Sequence, residues 1–312
     1  MGRSIVECPI PFDLNRPLTE KEKEEVLRYC ESDVAATIEI YKLREESYFA
    51  TKEELIAMTG GTASWRKNTG SISAGLLTCG KCPEWERLRV PDELWRNVPD
   101  LPEAVWEMWE QWDGEQTNRS VKPKQYGCDI SFGMGGLHGV NSEKRIFEDV
   151  HLLDVSSMYP SIILRLNALG EGTEEYRKIR DERLRIKHSE PLRAKALKLI
   201  LNSVYGNFKS RFSTLYNPYA AGTVCIYGQI VLFDLCGRLY AEGYTLANIN
   251  TDGVAFTDRS GAGDVYQAIR KEWEEDYGLE LEEFTNFKEI ADISWYYNAV
   301  ARRLADWQNC IS

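Results

Sequence analysis

The chain has 312 residues, with 38 Lys and Arg against 49 Asp and Glu, a formal net charge of −11. The length suggests about two domains, and 43% apolar with 11% aromatic content excludes a chain disordered throughout. No continuous run of about 18 apolar residues is present to span a bilayer, and the N-terminus lacks the basic start and apolar core of a signal peptide. These features predict a soluble intracellular protein with no membrane partner. The acidic balance argues, taken by itself, against nucleic acid as a partner.

Residues 18–48 read as a helix, because Thr19 and Glu22 are spaced as a capping box and neither Pro nor Gly occurs from there to residue 48. From 58 to 125 the pattern breaks up. TGGTAS, NTGS and CGKCP read as turns, and Trp95, Trp106, Trp109 and Trp112 mark an acidic stretch expected to pack helices on a core. Cys79 and Cys82 have a metal-like spacing but no second pair lies downstream, so they are expected to be two thiols on a turn. All eight cysteines are expected to be reduced. Residues 146–154 and 162–166 look strand-like, and 173–204 has a helical period interrupted at Pro191. A further helix is expected over 222–242. Residues 244–257 read as two short strands around a tight turn at Asn250–Gly253.

Three features bear on chemistry. An apolar strand delivers Asp154, then Ser156, Ser157, Met158 and Tyr159 before Pro160, where a change of direction is expected. A carboxylate leading into backbone N–H groups in a turn suits a divalent cation and the phosphates it carries, although a strand-end Asp is also a common cap. Asp252 sits at the tip of an apolar hairpin beside Gly253, which is equally ordinary alone. Two carboxylates on rigid strands, far apart in sequence, are what two-metal phosphoryl transfer requires. Between them, residues 176–211 carry eleven Lys and Arg against Asp181, Glu182 and Glu190, a net +8 that leaves −19 on the remainder. Arg180, Arg183 and Lys187 fall on one helical stripe, as do Lys198, Asn202 and Tyr205, with Gly206 next in the chain.

Together these motifs resemble the polymerase core of a family B DNA polymerase of the bacteriophage type. Asp154-Val-Ser-Ser-Met-Tyr-Pro-Ser161 resembles the first palm motif, with Met158 where the family has Leu. Lys198-Leu-Ile-Leu-Asn202-Ser-Val-Tyr205-Gly206 matches the fingers motif at every defined position. Asn250-Thr-Asp252-Gly253 is similar to the second palm motif, Asp-Thr-Asp-Ser. Upstream, Tyr29 and Asp33 resemble the motif that closes the 3′–5′ exonuclease domain, and Gly135-Gly136 resembles the pair between exonuclease and polymerase domains.

The resemblance implies an α+β fold, an antiparallel-sheet palm backed by helices with a helical fingers insertion. It divides the chain into the end of an exonuclease domain (1–48), a connecting segment (49–125), palm (126–170), fingers (171–215) and palm again (216–312). It implies two Mg²⁺ ions, with Mn²⁺ as an alternative, held by Asp154, Asp252 and the carbonyl of Val155. The N–H groups of Ser156, Ser157, Met158 and Tyr159 would cradle phosphates, and Tyr159 would exclude a 2′-hydroxyl. Arg183, Lys187, Lys198 and Asn202 would grip the triphosphate, while Tyr205 and Gly206 would contact the nascent base pair. Primer-template DNA and dNTPs are the implied partners, together with the remaining polymerase segments or replisome proteins, in the cytoplasm of a phage-infected host.

The sequence departs from the family at Asn250, which replaces a carboxylate, and at Gly253, which replaces a hydroxyl residue. The two earlier exonuclease motifs and the thumb are not found, so proofreading by this chain alone is not expected, and Tyr29 and Asp33 read as remnants. The alternative to a polymerase core is a non-catalytic nucleotide- or DNA-binding fragment.

Overall fold

The computed structural model describes residues 7–78, 88–112, 119–144, 146–258, 261–287 and 290–291. The first helix, α1 (Glu20–Arg44), starts at the expected capping box: Thr19 Oγ1 accepts the Glu22 N–H at 3.3 Å and the Glu22 carboxylate accepts the Thr19 N–H at 2.8 Å. A π-helical turn at Glu45–Phe49 leads into α2 (Ala50–Met58), and then come α3 (Thr69–Thr78), α4 (Asp92–Arg96) and α5 (Glu103–Glu110). The expected turn at 68–71 is instead the start of α3, because Asn68 Oδ1 accepts the Ser71 N–H at 2.7 Å and caps a helix. Cys79 and Cys82 lie outside the described residues, whereas Cys8, Cys30, Cys128, Cys225 and Cys236 are free thiols.

The sheet begins with β1 (Ser120–Val121), β2 (Lys124–Gln125), β3 (Cys128–Gly133) and β4 (Gly136–Asn141), then β5 (Ile146–Phe147) and β6 (Val150–Val155). Four helices come next: α6 (Met158–Arg165), α7 (Thr173–Ile186), α8 (Pro191–Lys209) and α9 (Pro218–Ala241). The chain returns through β7 (Tyr244–Asn250), β8 (Gly253–Asp258), α10 (Val265–Tyr277), β9 (Leu281–Phe287) and β10 (Ile290–Ala291). The main sheet runs β1-β3-β4-β7-β8-β6-β9, with β2 on β3, and every pairing is antiparallel. The fold is therefore α+β.

Residues 162–165 are helical rather than extended, and Leu166 caps the helix. Their Ile-Ile-Leu run suits a buried strand or a buried helix equally, and the chain turns at Ser157, whose φ of 51° is left-handed, so that α6 starts at Met158. Pro160 does not redirect the chain. It occupies the first turn of α6, where a missing N–H costs no hydrogen bond.

The helix α9 packs across β4, β7 and β8, and α10 packs on α9, with the Trp273 indole donating to the Val231 carbonyl at 2.9 Å. By length and composition α9 could cross a membrane, contrary to the sequence reading, yet 94% of its apolar window is buried inside the protein. It is a core helix. Trp112 lies against it at Gly222, where an added Cβ would come within 1.9 Å of the indole. Trp106 remains 44% exposed, so the tryptophan stretch is only partly core.

The antiparallel pair α7–α8 is fastened by the buried Tyr176 hydroxyl, which donates to the Leu201 carbonyl at 2.9 Å. Arg193 joins Glu182 at 2.7 Å to Glu54 at 3.0 Å and so ties α8 to α7 and α2. Gly222→Ala tests the packing of Trp112 on α9. The helix gains about 1 kcal/mol in propensity, but expelling the indole costs about 3 kcal/mol. A net loss of about 2 kcal/mol in denaturant unfolding is expected, and unchanged or higher stability would contradict the packing.

Candidate active site

Strands β6 and β8 pair so that Asp154 faces Gly253, the neighbour of Asp252. The Val155 N–H donates to the Asp252 carbonyl at 2.6 Å, which draws the β7–β8 turn onto the end of β6. Both carboxylates are half-buried. A Cβ on Gly253 would lie 2.8 Å from Asp154 Oδ1 and 3.2 Å from the Leu153 carbonyl. The carboxylate of Asp154 thus occupies the space that a side chain at 253 would fill. The departure from Ser at this position has a steric consequence that sequence reasoning did not reach.

The turn carrying Asp252 is under strain. Thr251 has φ of 54°, a left-handed conformation that a β-branched residue rarely adopts and that costs about 1–3 kcal/mol. Two contacts hold it. Its N–H donates to the Leu137 carbonyl at 2.7 Å, and its side chain occupies the space beside Gly136, where an added Cβ would meet Thr251 Cγ2 at 2.9 Å. Gly136 itself has φ of 131°, so this position favours glycine both by conformation and by space. Asn250 stands opposite His138 of β4. Burial holds the His138 imidazole below its usual pKa, and a hydrogen bond with the Asn250 side chain opposes that shift.

Immediately beyond the same end of β6, Ser156 donates its N–H to the Glu280 carbonyl at 2.8 Å and its hydroxyl to Glu282 Oε1 at 3.1 Å. Its N–H is therefore not available to a phosphate, contrary to the sequence expectation. The N–H groups of Met158 and Tyr159, at the start of α6, have no intrahelical acceptor. The Tyr159 ring meets that of Tyr205 at 4.5 Å and packs against α9 at Gly228, where a Cβ would lie 3.2 Å from its Cε1. Burial, and after it the nearby Cys225 and Asp252, pushes the Tyr159 phenol well above its usual pKa. This residue joins the start of α6 to α8 and α9.

On α8, Lys198, Asn202 and Gly206 are exposed along one stripe, while Ala194, Leu197, Leu201, Val204 and Phe208 are buried. Nothing lies within 4 Å of where a Gly206 side chain would begin. Internal packing therefore does not require glycine there, in a helix interior where it costs about 1 kcal/mol relative to Ala. Lys198 stands seven residues from Tyr205, about 10 Å along the helix. The side chains of Arg183, Lys187, Lys198 and Asn202 make no hydrogen bond or ion pair among the described residues, whereas Arg177, Lys178, Arg180 and Arg193 are paired with acids. The structure brings Asp154, Val155 and Asp252 to one strand end and packs Tyr159 on Tyr205. Tyr29 and Asp33 lie one turn apart on α1, no residue of which is buried. Asp33 raises the Tyr29 pKa.

The donor set suits Mg²⁺, which takes hard oxygen ligands and is held by one or two carboxylates plus substrate phosphates rather than by a protein cage. Among the described residues no group of three or more His, Cys, Asp or Glu forms a metal site, and the pair Asp154 and Asp252 meets that lower requirement.

The protein is similar in structure to the family B DNA polymerase from the hyperthermophilic archaeon Pyrobaculum calidifontis, with a TM-score of 0.43 and 16% sequence identity. The match covers 88% of this chain and 36% of that one, so the chain spans about a third of the length of that polymerase. No protein-family model and no curated protein matches the sequence.

Several contributors lay beyond sequence reasoning. The Met134 carbonyl and Lys209 contact Tyr205, and Cys225 and Gly228 lie beside Tyr159. Small residues at 225 and 228, one turn apart on a helix, were the available signal. Gly253→Ala tests the geometry. The added methyl displaces the Asp154 carboxylate, and Mn²⁺ affinity measured by EPR is expected to fall about tenfold or more with a stability change near ~1 kcal/mol. Unchanged affinity would contradict the placement of Asp154 over Gly253.

Proposed function

We propose that this chain is the palm and fingers part of a DNA-directed DNA polymerase, transferring nucleotidyl groups from dNTPs to a primer 3′-hydroxyl. The observation that carries the reading is the strand register that sets Asp154 opposite Gly253 and ties the Val155 N–H to the Asp252 carbonyl, in a chain whose three motifs occur in the order of family B polymerases. In this reading Asp154 and Asp252 hold Mg²⁺, which neutralises the triphosphate and lowers the pKa of the attacking hydroxyl. The N–H groups at the start of α6 donate to phosphate oxygens, as helix N-termini do. Tyr159 lies under the sugar and excludes a 2′-hydroxyl. The unpaired Arg183, Lys187 and Lys198 attract the triphosphate, and Asn202 adds a hydrogen-bonding amide. Gly206 leaves room for a base pair beside Tyr205. On the motif resemblance alone, the setting is phage DNA replication in the host cytoplasm.

A second reading, binding without turnover, is favoured by Asn250, since one fewer carboxylate leaves the site less negative. Primer extension separates the two. Purified protein with Mg²⁺ and dNTPs is expected to extend a primed template, and Asp252→Ala to lower the rate by at least about 10³-fold. Nucleotide binding without any extension would support the second reading. Extension that survives Asp252→Ala would exclude the mechanism.

A further inference from the structure

The tip of the β3–β4 hairpin offers three carbonyls to three separate elements. The Gly133 carbonyl accepts Gln229 Nε2 at 2.6 Å and Cys225 Sγ at 3.5 Å, both from α9. The Met134 carbonyl accepts the Tyr205 hydroxyl at 3.1 Å and Lys209 Nζ at 2.8 Å, both from α8. The Leu137 carbonyl accepts the Thr251 N–H at 2.7 Å, from the turn that carries Asp252.

We propose that this tip fixes α8 relative to the carboxylate turn, and that Lys209 is the positioning residue fastening α8 to it. The inference rests on the nucleotidyl-transfer reading and deepens it, because α8 carries Lys198 and Asn202, two of the residues assigned there to nucleotide binding. Lys209 lies three residues beyond the nine-residue motif that ends at Gly206.

The physical case is one of geometry and charge. Met134 O uses both lone pairs, and a bond from an ammonium is about twice as strong as a neutral one. The ammonium of Lys209 also lies 4.4 Å from the centre of the Tyr205 ring, a cation–π contact that holds the phenol in place. A lysine ammonium is strongly hydrated, and burial here lowers the Lys209 pKa. That partial desolvation opposes the contact and the two partners offset it, while the residue as a whole stays exposed. The tip cannot yield independently, because Gly136 packs directly against Thr251. Movement of α8 at Lys209 is therefore transmitted through Met134–Leu137 to the residue before Asp252.

Lys209→Met keeps most of the stem and removes the donor and the charge, while Lys209→Arg keeps both. In primer extension, Lys209→Met is expected to raise KM for dNTP about tenfold and Lys209→Arg to restore most of it, because misplacing binding groups by an ångström has effects of this order. Mn²⁺ binding to the protein should stay within about twofold of wild type. Hydrogen exchange at the Thr251 amide should accelerate about tenfold in Lys209→Met and not in Lys209→Arg, a readout that needs no turnover. An unchanged Thr251 exchange rate overturns the inference. So does a rise in KM for primer-template with dNTP KM unaltered, which would mark Lys209 as a DNA phosphate contact. Failure of the wild type to bind or incorporate dNTPs would instead overturn the polymerase reading and leave the exchange experiment to judge the fastening.

Discussion

The antiparallel pairing of β6 with β8 is the constraint on which the rest of the site depends. It sets Asp154 opposite Gly253 and, through the Val155 N–H, draws Asp252 onto the end of the same strand. Two unit negative charges about 4 Å apart repel by about 4 kcal/mol at an effective dielectric of ~20, comparable to much of a domain's net stability. Carboxylates brought that close need a compensating positive charge, which a bound cation would supply. A fold held by sheet register can sustain such a pair, because slipping by one residue would turn every side chain of β6 to the opposite face.

Small residues make the arrangement possible. Gly253 gives Asp154 its space, Gly136 gives Thr251 its space, and Gly228 gives Tyr159 its space on α9. Each is at a point where two backbones or a backbone and a side chain approach closely. The left-handed Thr251 is where the resulting strain is held, between Asn250 and Asp252. Its neighbours on the hairpin tip over-determine it, which is how an unfavourable backbone conformation persists in a folded protein.

Much of this was legible in the sequence, and the parts that were not share a cause. The capping box of α1, the break at Pro191 between α7 and α8, and the hairpin at Asn250–Gly253 arise from local chemistry, and local chemistry decides them. Residues 162–166 were misread because an apolar run carries no period, and Asn68 because a turn former is also a good cap. The register that sets Asp154 opposite Gly253 joins strands about a hundred positions apart, which no local pattern specifies. The contacts of Gly253, Met134 and Lys209 are long-range, spanning about 70 to 100 positions, and no local rule reaches them. The net charge of −11 misled for a related reason. It averages α7 and α8, with their exposed unpaired cations, together with an acidic remainder, whereas an anionic ligand responds to the local field.

The central claim is that Asp154 and Asp252 form one cation site and act as a unit. Mn²⁺ titration monitored by EPR, on wild type, Asp154→Asn, Asp252→Asn and the double variant, tests it most directly. The account predicts a loss of affinity of about tenfold or more for each single variant and little further loss in the double, the non-additivity of residues that share a ligand. Small, independent losses that multiply in the double variant would mean that the two carboxylates do not share a cation, and would contradict the account.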